Sequence, residues 1–563
     1  MEMKAPGRRL VAFLGVLVVT VCFVFNCSGA DSNGGSSYDP TAYTECKEYP
    51  EEPLYNGGIL GDFGSELGQG SSYAASAWVE SPAFVLENLT QNAKYSFSCW
   101  VKIRGANSSL VTARLSSNNT NQCIGNVLAR NDCWSFLKGG FVPSDSSSSP
   151  SLILFQNSLN GTMTISVRSA SLQAFTDEQW RTHQDEGIRT KRKRWVTIHV
   201  SDAEGQRLPG ASVSVKQISK DFPFGSAIAK TIIGNLPYQK WFTERFNAAV
   251  FENELKWYAT ESKPGQLNYT LADEMLSFVR ANQILARGHN IFWEDPRYTP
   301  PWVVNLTGPA LSAAVESRIR SLMSRYGGDF VHWDVSNEML HWDFYEQRLG
   351  PNATLGFFRT AQAADPRATL FMNDFNVVET CEDANSTVDA YVSRLIELQQ
   401  GGARLEGVGL EGHFTKPNLP LMRAVLDKLA TLNIPIWLTE IDISKTIDHK
   451  TQAVYLEEVL REGFSHPAVD GIMLWTALHP NGCYQMCLTD NDLKNLPAGD
   501  AVDRLLREWD TGDEEGETDE HGNFGFEGFL GEYEVSVRRG SRSVNTTFSV
   551  PRSDETRHFN VQL

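Results

Sequence analysis

Two short segments of the 563-residue chain each place a glutamate beside a second polar side chain. In HWDVSNE, Glu338 directly follows Asn337. In LTEIDI, Glu440 lies two residues before Asp442. Two carboxylates without a cluster of metal ligands suit glycoside hydrolysis, in which one carboxylic acid protonates the leaving oxygen and a second carboxylate attacks or stabilises the anomeric carbon. We therefore interpret Glu338 and Glu440 as a reacting pair.

The neighbours of the two glutamates predict different roles for them. Asn337 is placed to hold the 2-hydroxyl of the sugar next to the broken bond. His413 and Asp442 are expected to orient Glu440 and to keep it ionised. A less polar setting would keep Glu338 protonated, so that different environments produce an acid and a nucleophile.

Other polar and aromatic side chains stand at the ends of further apolar runs. They are Glu252, Asn253, Lys256, His289, Trp293, Asn373, Asp374, Glu411 and Trp475. A single polar residue at such a place is usually a helix cap or a solvated strand end. With the ends that carry Glu338 and Glu440, seven ends of this kind, gathered at one edge of a sheet, predict a pocket.

Eight short apolar segments would position these side chains. They begin at Phe222, Phe246, Ile284, Val331, Thr369, Gly407, Ile434 and Val469. Helix-patterned intervals such as LADEMLSFVRANQ and AVYLEEVLREGF lie between most of them. This alternation over ~250–300 residues predicts an α/β fold with a (β/α)8 TIM barrel. A doubly wound sheet is the alternative, but no Gly-rich phosphate loop follows the first strand.

Smaller β-rich units are predicted on both sides of the barrel, which is assigned to 222–510. Residues 55–175 contain short alternating runs separated by turn residues and are interpreted as an N-terminal β-sandwich. Residues 31–54 are interpreted as a linker, and 176–221 as a linker with a β-strand pair. Residues 511–563 are interpreted as an acidic segment followed by a small C-terminal β appendage.

Chain length indicates several domains, and net charge limits the partners of the protein. A single core stops growing near ~250–300 residues, so this chain needs accessory units. Its 68 acidic and 50 basic residues give a formal charge of -18, which disfavours nucleic acid and anionic membranes as partners. The basic run KRKR at 191–194 is therefore interpreted as a solvated linker rather than as a targeting patch.

The N-terminus has the order of a secretory signal. Basic residues precede an apolar run from Leu10 to Phe25, and small residues up to Ala30 follow. We expect a signal peptide over 1–30 and a secreted mature chain without a membrane partner. An uncleaved anchor is the alternative, although the run is shorter than the ~17–25 residues of a spanning helix.

Glycosylation sequons agree with secretion. Outside the signal they begin at Asn88, Asn107, Asn118, Asn160, Asn268, Asn305, Asn352, Asn385 and Asn545. Any of these positions that carries a glycan must lie at the surface.

The cysteines predict disulfide bonds. Seven lie beyond the signal: Cys46, Cys99, Cys123, Cys133, Cys381, Cys483 and Cys487. Proximity in the chain favours the pairs Cys123–Cys133 and Cys483–Cys487. The odd number leaves at least one thiol unpaired or bridging another chain. A metal site is disfavoured because neither pair has His or Cys partners at zinc spacing nearby.

Four motifs make the chain similar to glycoside hydrolase family 10. HWDVSNE resembles the acid/base motif WDVVNE, and LTEIDI resembles the nucleophile motif ITELDI. FENELKW and ARGHNIFW resemble substrate-binding segments, so the resemblance spans about Phe222 to Trp509. It implies a retaining endo-1,4-β-xylanase without a cofactor, in which Glu338 is the acid/base and Glu440 the nucleophile.

The resemblance also implies which residues bind xylan and xylo-oligosaccharides. These are Glu252, Asn253, Lys256, His289, Trp293, Asn337, His413 and Trp475. We assign Glu411, which lies at the end of the sixth run, to substrate binding as well. The segments GHNIFWEDP and GCYQMCLTDNDLKNLPAGDAVDRLLREW are similar to plant members, which implies the plant cell wall as the setting.

Three positions depart from the usual pattern of the family. Glu411 stands where many members have Gln, and Glu294 stands where many have His. The second Trp expected after Trp475 is absent, and we expect Tyr484 or Met486 in its place. An extra carboxylate near the reacting pair is expected to raise a neighbouring pKa or to shift the pH optimum.

The predicted sandwich resembles, more weakly, the carbohydrate-binding modules of family 22. The resemblance lies in NCWSFLKGGF and in the junction QAFTDEQW. Trp78, Trp100 and Trp134 are the candidates for stacking on sugar. Trp100 lies in an apolar strand and is expected in the core, whereas Trp134 fits core and binding equally well.

Two other functions remain open at this point. A non-catalytic protein that only binds wall polysaccharide would not need the intact set of Asn337, Glu338, Glu440 and Asp442. A xylan endotransglycosylase would use the same set but pass the sugar to another xylan chain instead of water.

Overall fold

The structure is a computed structural model that describes residues 37–60, 72–75, 81–117, 120–143, 151–157, 163–553 and 556–563. The predicted signal peptide, Trp78, and the sequons at Asn118 and Asn160 lie outside these residues. Within the described chain, no helix combines the length and the hydropathy needed to cross a membrane. The sequon asparagines that are described are all exposed: Asn88, Asn107, Asn268, Asn305, Asn352, Asn385 and Asn545.

An N-terminal β-sandwich is built from eight antiparallel strands. They are β1 (Ser72–Ala75), β2 (Ser81–Leu86), β3 (Lys94–Arg104), β4 (Ser108–Ser117), β5 (Thr120–Arg130), β6 (Ser135–Phe141), β7 (Ser151–Asn157) and β8 (Met163–Phe175). One sheet has the order β1-β8-β3-β6 and the other β2-β7-β4-β5. Their alternating apolar side chains, such as Phe97, Val111 and Ile153, form one core between the sheets.

A closed parallel barrel follows, as the alternating pattern predicts. Its strands are β11 (Phe224–Ile228), β12 (Ala248–Phe251), β13 (Leu285–Gly288), β14 (Phe292–Trp293), β15 (His332–Asn337), β16 (Thr369–Asp374), β17 (Gly407–Phe414), β18 (Ile436–Ile443) and β19 (Val469–Leu474). All pairs are parallel, β11 pairs with β19, and β15 pairs with both β13 and β14. The (β/α)8 fold is therefore confirmed, with the third strand interrupted between β13 and β14.

Helices lie between the barrel strands and beside the sandwich. They are α1 (Asp177–Arg192), α2 (Leu236–Thr243), α3 (Trp257–Thr260), α4 (Thr270–Ala281), α5 (Pro301–Val304), α6 (Gly308–Tyr326), α7 (Phe344–Leu349), α8 (Ala353–Ala364), α9 (Val388–Gln400), α10 (Leu419–Ala430), α11 (His449–Ser465) and α12 (Pro497–Glu508). Several begin at polar caps; Asp448, for example, accepts hydrogen bonds from the backbone of Lys450 and Thr451.

A second β-sandwich contains strands from both sides of the barrel. The strands are β9 (Lys193–Ser201), β10 (Ser212–Lys220), β20 (Asp513–Glu517), β21 (Asn523–Phe529), β22 (Gly531–Arg539), β23 (Arg542–Val550) and β24 (Arg557–Gln562). Its sheets have the orders β20-β10-β22-β23 and β21-β9-β24. The two expected strands, β9 and β10, are present, but they lie in opposite sheets and pair with C-terminal strands rather than with each other. The burial of their apolar side chains against that tail explains the difference.

The N-terminal sandwich is fastened to the barrel. A disulfide bond joins Cys123 to Cys381, which is 258 residues away. A buried ion pair joins Lys138 to Asp427 of α10 at 2.7 Å. A Cβ atom on Gly140 would lie 2.5 Å from Cβ of Pro420 in α10, so the close approach of strand and helix requires glycine.

The disulfide pattern partly corrects the sequence-based expectation. Cys483–Cys487 is confirmed, but Cys123–Cys133 is wrong, because Cys133 pairs with Cys46 and Cys123 pairs with Cys381. Cys99 is the unpaired thiol and is buried. Distance along the chain predicted only the bond that closes a local loop.

Residues from the segment 43–54 cover two of the three tryptophans considered for sugar stacking. Trp100 and Trp134 are 1% and 8% exposed and pack with Phe136 beneath Tyr43 and Leu54. Both are therefore core residues.

The basic run 191–194 is not a solvated linker. Helix α1 begins at a capping box on Thr176 and ends at Arg192, which is 3% exposed. The solvated interpretation is wrong at Arg192, since this side chain donates hydrogen bonds to buried carbonyls of the barrel.

Candidate active site

Glu338 lies at the carboxyl end of the fourth main barrel strand, directly after β15. It has a φ of 60°, a left-handed conformation that costs a non-glycine residue about 1–3 kcal/mol. Its carboxylate accepts a hydrogen bond from Nε1 of Trp293 at 2.5 Å. Burial raises the pKa of Glu338 to about 8, and the charges of Asp374 and Glu440 act in the same direction. At neutral pH this side chain is therefore an acid that holds a proton.

A histidine between two aspartates supports the turn that carries Glu338. His341 contacts Asp374 at 2.6 Å and Asp383 at 3.0 Å. The backbone N–H of Leu340 also donates to Asp374, at 2.7 Å. Burial opposes a charge on His341, but the two carboxylates outweigh it and raise its pKa to about 9. The resulting cation fixes the turn directly behind the acid.

Glu440 lies on β18, across the pocket from Glu338, and is 5% exposed. Its Oε1 accepts a hydrogen bond from Asn373 at 3.3 Å and lies 3.8 Å from Nδ1 of His289. Its Oε2 lies 3.7 Å from Nε2 of His413. Burial alone would raise the pKa of Glu440, but the two imidazoles outweigh burial and hold it below its usual range. Glu440 is therefore the ionised member of the pair.

The amide of Asn373 connects the polar groups of the pocket. Its Nδ2 lies 2.9 Å from Oδ1 of Asn337, 2.9 Å from Oε1 of Glu411 and 3.3 Å from Glu440. Its Oδ1 accepts a hydrogen bond from Thr439 at 2.5 Å, which fixes the orientation of the amide. The backbone carbonyl of Asn373 also accepts from the N–H of Glu338 at 2.9 Å. The side chain and backbone of Asn373 thus link β16 to the end of β15, to β17 and to β18.

His413 carries a positive charge beside Glu440. Its Nδ1 contacts Asp442 at 2.9 Å, and its Nε2 lies 3.6 Å from Glu411. Burial opposes the charge, but Asp442 outweighs it and raises the pKa of His413 well above its usual range. Burial, together with Glu440 and Glu338, raises the pKa of Glu411 well above the ordinary carboxyl value. These effects favour the protonated form of Glu411, whose Oε1 accepts from Asn373 next to Glu440.

Aromatic and basic residues form the wall beyond Glu440. The ammonium of Lys256 lies 4.4 Å from the ring centre of Trp293 and 5.6 Å from that of Trp475. Lys256 donates to Asn253 at 3.2 Å. Buried Oε2 of Glu252 has no hydrogen-bond partner among the described residues, so it is available to a sugar hydroxyl.

Two departures from the family pattern lie away from the reacting oxygens. Glu294 is 1% exposed and accepts hydrogen bonds from Ser336 at 2.6 Å and from the backbone of Tyr345 at 3.2 Å. Tyr484, in the loop closed by Cys483–Cys487, meets the ring of His413 edge-on at 5.3 Å and is 55% exposed. Met486 is buried. Tyr484 is therefore the residue that offers an aromatic surface at this place.

Glu411, His413 and Glu440 bring ligand atoms within 4.8 Å of one another, a spacing that a cation could use. The two glutamates of this group also accept hydrogen bonds from Asn373. Together with the His413 imidazole, they suit proton transfer and the binding of sugar hydroxyls. The expectation of no metal stays a prediction.

The sequence did not single out His341 and Asp383, and it did not assign a role to Asn373 or Asp374. Asn373 and Asp374 end a barrel strand, which was a usable signal. His341 and Asp383 lie in loops, and only the folded chain brings them together.

Comparisons with known proteins agree with this geometry. The model of the family described as Glycosyl hydrolase family 10 matches residues 214–502. Endo-1,4-beta-xylanase 5-like from Arabidopsis thaliana is 37% identical over 533 residues, which cover 92% of this chain and 91% of that protein. Endo-1,4-beta-xylanase 5 from the same plant is 36% identical over 515 residues, 88% of this chain and 87% of that protein.

Among solved structures, the chain is similar to xylanase 10B from Thermotoga petrophila RKU-1 in complex with xylobiose. The TM-score is 0.46 and the sequence identity is 23%. The match covers 51% of this chain and 94% of that one. The family model and the Arabidopsis relatives decide the assignment. The chain belongs to glycosyl hydrolase family 10 and is a glycoside hydrolase.

Proposed function

We propose that the protein is a secreted, retaining endo-1,4-β-xylanase of the plant cell wall. One observation carries the mechanism: two buried carboxyl groups at facing strand ends have pKa values shifted in opposite directions. Glu338 holds its proton up to about pH 8, whereas Glu440 is ionised. The names of the Arabidopsis relatives support xylan as the substrate.

The reaction then proceeds in two displacements. Glu440 attacks the anomeric carbon and forms a glycosyl ester, while Glu338 gives its proton to the leaving oxygen. Glu338, now a carboxylate, takes a proton from water, and the resulting attack releases the sugar with its original anomeric configuration. Retention requires the two carboxyl groups to lie ~5–5.5 Å apart.

The other pocket residues bind and orient the sugar. Asn337 is held by Asn373 with its oxygen fixed, so it can meet the 2-hydroxyl beside the reacting carbon. His289 is fixed through Nδ1 by Asp334 at 2.9 Å. Lys256, Trp293 and Trp475 supply donors and an aromatic surface for the units on either side.

The decisive experiment sizes the products from linear and substituted xylans and follows their anomeric configuration by NMR during the first minutes. We expect a falling average chain length and β-anomers as first products. The variant Glu440→Ala, secreted from the same host, is the control for contaminating activity. First products of inverted configuration would contradict the mechanism.

The same experiment separates the two alternatives. A transglycosylase would yield products longer than the xylo-oligosaccharide supplied as donor. A binding protein would retain xylan without shortening it, in both the wild type and the Glu440→Ala variant. Short products that appear only with the wild type support the xylanase.

A further inference from the structure

A second cavity lies at the end of the barrel opposite to the two glutamates. It is enclosed where β11 begins, where α11 ends and where the C-terminal sandwich packs against the barrel. Its volume is about 200 Å³. For comparison, an apolar cavity of roughly 150 Å³ can hold a benzene molecule. This cavity is therefore large enough for a small organic ligand.

One wall of the cavity consists of aromatic rings. Phe464 stacks on Trp509 with a centroid distance of 3.9 Å, and Phe222 meets Phe464 edge-on at 4.9 Å. Phe529 adds a ring from the C-terminal sandwich, 6.4 Å from Phe464. All four side chains line the cavity. Such a wall favours a flat, unsaturated ligand.

A buried arginine without a carboxylate partner lines the same cavity. Arg192 is 3% exposed and donates through Nε to the carbonyl of Phe464, and through Nη2 to the carbonyls of His466 and Val469. Among the described residues, no carboxylate forms an ion pair with it, and Nη1 has no hydrogen-bond partner. Burying an unpaired charge is costly, so an anion in the cavity would relieve that cost.

A second donor near Arg192 is also unused. The indole N–H of Trp509 is buried and has no acceptor among the described residues. Trp509 is 4% exposed and lines the cavity. Leaving such a donor without an acceptor costs ~1–3 kcal/mol, and a ligand oxygen would remove this cost.

The remaining charges around the cavity are largely matched. Arg552 pairs with Asp221 at 2.6 Å and with Asp470 at 3.0 Å. Lys220 pairs with Asp510 at 2.9 Å. Lys191 and Arg194 also line the cavity. Asp470 and Asp221 attract Arg192 electrostatically, but neither forms an ion pair with its guanidinium, which lies over the ring of Phe222 at 4.5 Å.

We propose that this cavity binds an aromatic carboxylate, with its ring against Phe222, Phe464 and Trp509 and its carboxylate at Arg192 and the Trp509 indole. A carboxylate can accept from Nη1, the guanidinium nitrogen that the three carbonyl contacts leave unused, and from a second donor at its other lone pairs. The aromatic wall, in turn, disfavours a small inorganic anion, which would leave it without contacts. This site is separate from the catalytic pocket and does not depend on the proposed xylanase activity.

The test is a calorimetric titration of the full-length protein at pH 7 with trans-cinnamate and with its uncharged analogue, cinnamyl alcohol. We expect cinnamate to bind and the alcohol to bind at least about 10-fold more weakly, as the loss of a charge-assisted hydrogen bond predicts. Trp509→Phe keeps the ring but removes the donor, so it should weaken cinnamate about 10-fold and leave xylan turnover unchanged. Trp195→Phe, at an exposed indole, is the matched control and should change neither.

Arg192→Met is the second variant and should abolish the preference for cinnamate over the alcohol. The comparison of the two ligands on the wild type needs no variant, so the test holds even if a variant does not fold. Absence of cinnamate binding, equal binding of both ligands, or competition by xylo-oligosaccharides would each overturn the proposal. Asp554 and Glu555 follow Ser553 in the sequence. If cinnamate bound only to the double variant Asp554→Asn/Glu555→Gln, the chain's own carboxylates would be the occupants of the site. That outcome would also overturn the proposal.

Discussion

The proposed catalytic pocket and the interface between sandwich and barrel both bury carboxyl groups, yet they hold them in opposite protonation states. At the interface, Asp427 accepts hydrogen bonds from Tyr38 and Lys138 at 2.7 Å and contacts His466 at 3.2 Å. Burial opposes its charge, but Lys138 outweighs it and holds the pKa of Asp427 far below its usual range. In the pocket, Glu338 has one neutral donor, Trp293, and burial prevails.

The difference shows that donors, rather than depth, decide whether a buried carboxyl group ionises. Asp427 is 5% exposed and Glu338 is 7% exposed, so burial hardly distinguishes them. A buried carboxylate with several hydrogen-bond donors, such as Asp427, stays ionised and anchors the interface. A buried carboxyl group with few donors, such as Glu338, keeps a proton that it can give to a substrate.

The largest expected effect is the loss of the ionised pocket carboxylate. Glu440→Ala should lower kcat on xylan and on activated aryl xylosides alike by at least ~10⁴-fold, because every substrate needs the nucleophile. Initial rates with both substrate types check this. A variant that kept its activity on aryl xylosides would place the nucleophile elsewhere.

Glu338→Ala should have a smaller effect that depends on the leaving group. Xylan cleavage should fall by ~10²–10⁴-fold, whereas an aryl xyloside with an activated leaving group should still form the glycosyl-enzyme. Azide should rescue the second step with retained configuration. Equal losses on the two substrates would contradict the division of roles.

The pH profile tests the protonated state of Glu338 directly. Its raised pKa means that the acid form is present below pH 8 and disappears above it, so kcat/KM of the wild type should fall above about pH 8. In Glu338→Ala, this alkaline limb should be absent with an activated substrate. If the limb persists unchanged, another group sets it.

Breaking the interface anchor should change stability but not chemistry. Asp427→Asn leaves Lys138 buried without its counter-charge, which should lower the free energy of unfolding by about 3–5 kcal/mol, with kcat of the folded protein retained. Because its folded pKa is depressed, Asp427 stabilises above its unfolded pKa near ~3.9, and this contribution is lost as the pH falls towards the folded pKa.

Denaturant unfolding at pH 7 checks this prediction for Asp427. Asp185→Asn, in the exposed pair with Arg181, is the matched control and should cost less than about 0.5 kcal/mol. Similar losses in both variants would remove the distinction between the two regions.

The smallest effect is expected at Glu411. Burial, Glu440 and Glu338 raise its pKa and favour its neutral form. Glu411→Gln supplies a neutral side chain of the same shape, so it should change kcat/KM by less than about five-fold. Glu411→Ala removes an acceptor from Asn373 and should cost more. A large loss in Glu411→Gln, measured on xylan, would show that Glu411 acts as an anion.

The sequence predicted the barrel well because each buried strand is a nearly continuous apolar run, and all eight runs became strands. It was less successful wherever contacts join distant segments. Cys123 was paired with a neighbour in the chain instead of Cys381, and Arg192 was considered solvated. The connecting role of Asn373 was missed, since its partners Asn337, Glu411 and Glu440 come from three other strand ends, which only the folded sheet brings side by side.

The second sandwich makes the barrel an insertion within another folding unit. Strands β9 and β10 are made before the barrel, but their partners β20, β21, β22 and β24 follow it in the chain. During synthesis, the edges of β9 and β10 therefore remain unpaired until the ribosome has added about 290 further residues after β10. A chain that stops after α12 would leave these edges open, which makes it prone to aggregate even if its barrel is complete.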